Sequence, residues 1–193
     1  MKRFRPYCAG YIVLYVLVFL SFADVVYTTY RQVRGVQDAM AGFSFFAYII
    51  FAMALCYLWM YARAQVCFDG GKMRMAFPIS RAPKDGEARV MFIFRQGATD
   101  IRFVDKTLRL DTVTRYGYVE DLGYQPIDAS QAGPNNKLFP VHEVAFITSE
   151  NKRYHMNAAI YSKRQRREIF DLVRQDSGVE AEGKLGEELG MRN

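Results

Sequence analysis

Residues 8–23 read CAGYIVLYVLVFLSFA and residues 43–62 read FSFFAYIIFAMALCYLWMYA, and these two stretches decide the fold. The first holds no charge, and its apolar character resumes at Val25, Val26 and Tyr27 after Asp24. A helix over about 8–27 would be about 30 Å long, the thickness of a bilayer's hydrocarbon core. The second belongs to an uncharged run from Ala39 to Ala62, long enough to span with some tilt. Helices of a soluble core carry polar positions at a regular period, and these runs carry almost none. A cleavable signal would end a shorter apolar core at a small-x-small site, which FADVVYTTY (residues 22–30) lacks. Amphipathic rings collect where spans meet headgroups, and Tyr57, Trp59 and Tyr61 stand there as interface anchors, as do Tyr27 and Tyr30.

Outward from the spans, the flanking charges set an orientation. Lys2, Arg3 and Arg5 precede the first span, and Arg63, Lys72 and Arg74 follow the second. The connecting loop, about 28–38, holds only Arg31 and Arg34. Basic flanks stay inside, so both termini are expected in the cytoplasm, as in a multi-pass protein of the inner (cytoplasmic) membrane. Asp24 lies near a helix end, where a solvated interfacial carboxylate outweighs an ion-path role. Gly10, Ala47 and Ala54 permit close helix packing but form no GxxxG repeat.

Charge divides the chain into a hydrophobic hairpin at 1–62, a basic part at 63–175 and an acidic, flexible tail at 176–193. The tail holds Asp176, Glu180, Glu182, Glu187 and Glu188 among four glycines, a composition that does not order by itself. The middle part is long enough for one compact core. Its basic excess suits an anionic lipid surface or an acidic partner. Cys8, Cys56 and Cys67 make neither a disulfide framework nor a metal-ligand spacing, and they read as reduced structural thiols.

Beyond the second span the pattern switches to period two. Val66 and Phe68, the turn Asp69-Gly70-Gly71, and Met73, Met75 and Phe77 alternating with charge predict a hairpin. Pro78 and SRAPKDGEA predict a loop, and RVMFIFR (89–95) a short strand. Ile101 and Phe103, then Leu108, Leu110 and Val113, suggest two strands joined by a turn at Asp105-Lys106. Residues 115–127 are aromatic and partly extended, and 128–136 form a loop. Residues 139–148 and 153–160 flank Ser149-Glu150-Asn151-Lys152, a hairpin turn. Ser162 reads as the N-cap of a helix over about 163–175, with Ile169, Phe170, Leu172 and Val173 on its apolar face. The fold class is therefore α+β: a transmembrane helical hairpin (spans about 8–27 and 39–62), then a small antiparallel sheet or barrel closed by a C-terminal helix.

The segments VCFDGGKMRM near the start of that domain and FPVHEVAFITSENKRYHMNAAIYSKRQRREIFDLV at its end carry a resemblance. In element order and hydrophobic pattern the stretch 63–175 resembles the pleckstrin-homology-like (bPH-type) domains of small bacterial membrane proteins with two transmembrane helices. The resemblance implies an interaction module in which no catalytic residue carries over.

The residues themselves point to no reaction. GxSxG, HExxH, Walker and GxGxxG patterns are absent from the sequence. His142 and His155 approach if their strands pair, but a metal needs a third ligand, and no spacing supplies one. No catalytic residue, cofactor or metal is expected. The basic run KRQRR, with Lys163, Arg164, Arg166 and Arg167, is the candidate contact for lipid or a partner. Its plainer reading is a solvated helix face. Nucleic acid would call for a broader basic surface with stacking aromatics, so none is expected. Membrane lipids and a protein partner in a membrane complex are the expected associates. The function that follows is a non-enzymatic, membrane-anchored accessory or scaffold protein. Anionic-lipid sensing through 163–167 is its alternative, and a component of a membrane enzyme or transporter a more distant one.

Overall fold

The computed structural model describes residues 1–35, 41–81, 100–127 and 141–190. The chain divides into two compact units, Ala9–Ala62 on one hand and Met1–Cys8 with Arg63–Asn193 on the other.

The first unit is two helices, α1 (Ala9–Val33) and α2 (Ala41–Ala62). They pack antiparallel, with Thr29 Oγ1 and Tyr48 OH 2.9 Å apart and the rings of Phe22 and Phe51 6.0 Å apart. Ile12–Val33 of α1 is long and apolar enough to cross a membrane, and only 6% of it is buried. A core helix of a soluble protein would be mostly covered. Among the described residues this is the one helix to meet that measure; many side chains of α2 lie outside them. Within α2 the backbone follows the expected span closely. The loop expected over about 28–38 begins later, because α1 runs on to Val33, and residues 36–40 lie outside the described residues.

The second unit is an α+β domain of two sheets and a C-terminal helix. One sheet has the order β1-β2-β3-β4, with β1 at Lys2–Phe4, β2 at Gln65–Asp69, β3 at Lys72–Arg81 and β4 at Asp100–Arg109. All its pairings are antiparallel. The other has the order β7-β6-β5-β8, with β5 at Val113–Tyr118, β6 at Glu143–Thr148, β7 at Arg153–Asn157 and β8 at Ala181–Glu182. There β8 pairs parallel to β5, and the rest is antiparallel. Between the sheets run a 3-10 turn at Leu110–Thr112 and no loose chain. Helix α3 (Lys163–Ser177) covers the core, and α4 (Gly183–Leu189) follows β8. Period-two side chains explain the single core: Phe68, Met75, Leu108, Tyr116 and Phe146 turn inward from both sheets and meet Phe170 of α3.

Several local expectations need correction. Lys2–Phe4, assigned with the hairpin, is a strand of the domain: Phe4 is buried, pairs with Val66 and sets its ring edge-on to Phe68 at 6.0 Å. Pro78 does not begin a loop, because β3 runs on to Arg81. Beyond Ala76 that strand has lost β2 as a neighbour, so a residue without an N–H is tolerated there. Nor do Asp105-Lys106 form a turn; β4 passes through them unbroken. Asp105 instead accepts Arg74 Nε from across the ladder at 2.8 Å, which turns a turn-prone residue into a cross-strand partner. The reversal comes at Leu110–Thr112.

The largest correction concerns the tail. Residues 176–193 are not a flexible appendage as far as Gly190: β8 and α4 belong to the domain, and Leu185 is buried in its core. Two glycines read as mobile are instead needed for fit. A side chain on Gly186 would meet the Ala181 carbonyl oxygen at 2.5 Å. Gly183, at φ +62, lies so close to Asp121 that a Cβ there would stand 2.5 Å from its carboxylate. Asp121 accepts the Lys184 N–H at 2.8 Å and so starts α4 from a distant loop. The proposed strand at 89–95 and the loop at 128–136 lie outside the described residues.

Candidate functional site

The basic run opens α3, and its position is fixed by capping. Ser162 Oγ accepts the Gln165 N–H at 3.2 Å, while Gln165 Oε1 accepts the Ser162 N–H at 3.0 Å. The other end of the same amide reaches the N-terminal segment: Gln165 Nε2 donates to the Arg5 carbonyl at 2.8 Å. Tyr7 N–H donates to the Ile160 carbonyl at 2.8 Å. The start of α3 is thus bonded to the stretch of chain that leads into α1.

The four basic side chains have different surroundings. Arg164 is exposed and pairs with Glu168 at 3.2 Å, a carboxylate that Lys2 also holds at 3.2 Å. Hydrogen bonds from Lys2 and Arg164 keep the Glu168 carboxyl below its usual range. Arg166 turns the other way and meets Glu188 of α4 at 3.5 Å. Lys163, Arg166 and Arg167 line one side of a cleft of about 210 Å³, and Leu185, Glu188 and Leu189 line the other. Arg164 is not part of it.

Behind the cleft, Tyr118 OH donates to Glu188 Oε2 at 2.9 Å. Burial, then the hydrogen bond to Glu188, push the Tyr118 phenol well above its ordinary pKa, so it stays protonated as a donor. Its ring stacks on His142, with centroids 3.6 Å apart, and His142 Nε2 lies 3.4 Å from Glu120. Compared with protein-family models, curated proteins and solved structures, the chain matches none.

The two histidines have separate partners. His155 Nδ1 lies 3.0 Å from Glu143 Oε2, which also accepts the Ile127 N–H at 3.0 Å. That buried pair joins β6 to β7 and also holds the backbone at Ile127. Among the described residues no group of three or more His, Cys, Asp or Glu is arranged to hold a metal. Cys67 is buried in β2, Cys8 half-buried and Cys56 exposed, and none of the three forms a disulfide with another. Of the three interface anchors, Trp59 is exposed on α2, while the side chains of Tyr57 and Tyr61 lie outside the described residues.

Sequence reasoning missed the far wall of the cleft. Its residues lie in the acidic tail, where composition hides structure. A signal was present: Leu185 and Leu189 stand four apart, the spacing of one helical face.

Proposed function

We propose that this chain is a non-enzymatic, membrane-anchored adaptor, in which α1 and α2 both cross the bilayer and the sheet domain holds a partner protein at the cytoplasmic face. The pairing of β1 with β2 carries the reading. Those strands flank the helical hairpin, and Phe4 lies opposite Val66. A chain whose entry and exit are joined in one sheet must cross a membrane an even number of times between them. If α1 crosses, α2 has to return. The same pairing opposes a cleaved signal, since cleavage would strip a core-filling strand from the domain. The basic flanks put the joined ends inside.

The domain supports the pleckstrin-homology-like reading by its order of elements: a four-stranded antiparallel sheet, three further antiparallel strands and then a helix. Its first strand comes from ahead of the hairpin. Strand β7, at a sheet edge, and the outer side of α3 are the surfaces for the partner.

Single cysteines placed at Gly35 and at Lys152 of an otherwise cysteine-free chain test the anchor. In intact cells an impermeant maleimide should label position 35 and spare 152; equal labelling of both overturns the two-span arrangement. Purification of the full chain in mild detergent tests the adaptor role. A stoichiometric companion is expected, and a solitary monomer refutes it.

A further inference from the structure

We propose that the cleft between α3 and α4 is a phosphate-binding site that takes the headgroup of an anionic phospholipid, an inference that rests on the membrane-anchored reading above. Its cationic wall is Lys163, Arg166 and Arg167. Among the described residues Lys163 and Arg167 make no ion pair, whereas Arg166 is matched by Glu188. Two cations are thus left facing a concave space whose opposite wall carries Leu185 and Leu189. A charged group with an apolar neighbour suits that lining. The volume of about 210 Å³ lies below that of pockets for drug-sized ligands, which begin at about 300 Å³. It fits a headgroup with part of its glycerol.

Glu188 makes the site selective. Held by Tyr118, it offers Arg166 a built-in counter-charge that an incoming phosphate must displace. The hydrogen bond from Gln165 to Arg5 ties this turn of α3 to the N-terminal segment that precedes α1. Arg164 provides an internal control. It stands on the same turn, is exposed, and does not line the cleft.

Calorimetric titration of the full chain, purified in neutral detergent, separates the possibilities. The probes are dihexanoyl phosphatidylglycerol, inorganic phosphate and an acidic peptide. Each cation facing an anionic headgroup is worth about 1 kcal/mol, or about fivefold. Lys163→Ala with Arg167→Ala should therefore weaken phosphatidylglycerol binding about 25-fold. Arg164→Ala should change it less than about twofold, and Glu188→Gln, which keeps an acceptor for Tyr118, should tighten it about fivefold. Inorganic phosphate binding as tightly as the lipid, with the same variant pattern, keeps the phosphate site but makes its source a soluble phosphate. Three results overturn the proposal: equal losses at Arg164 and at the cleft pair, weaker binding in Glu188→Gln, or the acidic peptide binding best. Alkaline extraction of the same variants reports the anchor separately, so a chain that stays in the membrane yet shows no cleft-dependent binding refutes the site alone.

Discussion

The hairpin and the sheet domain treat the same kind of side chain in opposite ways. Phe170 on α3 is fully buried, its ring stacked 6.0 Å from Tyr116, whereas Phe19 on α1 is 70% exposed. Both are phenylalanines of long helices. In the domain, sequence period and burial agree, because α3 has one apolar face and one charged face. In α1, apolar residues surround the helix and the protein covers few of them. Water opposes leaving such a surface bare, at about 25 cal/mol for each Å². The difference separates a unit that covers its own apolar side chains from a helix that leaves most of its own bare.

Exchanging the two treatments is the strongest way to break this comparison. Phe170→Ala should destabilise the domain by about 3–5 kcal/mol, seen as a lower thermal midpoint, and should leave membrane extraction unchanged. Phe19→Lys should do the reverse. It should cost about 3 kcal/mol of insertion, moving chain into the alkali-extractable fraction, with the domain's melting unaltered. A domain midpoint that falls as far with Phe19→Lys as with Phe170→Ala would show that the hairpin is a core element after all.

Phe4 sharpens the boundary between the units. It sits five residues ahead of α1 yet is buried in the domain core against Phe68. Phe4→Ala should therefore destabilise the domain by about 3 kcal/mol. Denaturant unfolding in detergent measures it; an unchanged midpoint would make β1 a passive edge.

That boundary also shows which parts of the fold could be read from sequence. Signals complete within a few residues were legible: the Asp69-Gly70-Gly71 reversal, the turn at 149–152 and the Ser162 cap all stand where composition put them. Pairings across long separations were not. Lys2–Phe4 looks like a basic leader because its partner lies more than sixty residues on. Asp105-Lys106 has turn composition, and only Arg74, thirty-one residues away, makes Asp105 a strand residue. The cleft was half legible for the same reason. Its basic wall is one continuous run, while its acidic and apolar wall lies in a tail whose glycines and glutamates imitate disorder.

The tail makes a milder test, through pH. Glu182 on β8 is gripped by Arg115, with both contacts at 2.7 Å, and that hydrogen bonding holds its carboxyl below the usual glutamate range. The folded pKa is thus lower than the unfolded one. The linked stability is fully present above the unfolded value and is lost as pH falls through the folded value. Amide protection of residues 181–189, taken relative to the intrinsic exchange rate at each pH, should fall between about pH 6 and about pH 3 before that of α3 does. Simultaneous loss in both helices would mean that the tail has no separate attachment.

The smallest effect contrasts two neighbours at the start of α3. Ser162→Ala removes the acceptor for Gln165 N–H and should cost about 1 kcal/mol, since an N-terminal amide of the helix loses its partner. Arg164→Ala removes an ion pair to Glu168, but the arginine side chain is 90% exposed and Lys2 remains on the same carboxylate. Water and salt screen such a pair, so its loss should not move the thermal midpoint measurably. The cap has a second consequence that the ion pair lacks. By setting Gln165 in its box, Ser162 also aims the amide that donates to Arg5, so Ser162→Ala should loosen the N-terminal segment as well as the helix. Faster proteolysis at residues 1–8 in Ser162→Ala, and not in Arg164→Ala, would show that the cap couples α3 to the N-terminal segment; equal rates would confine its effect to α3.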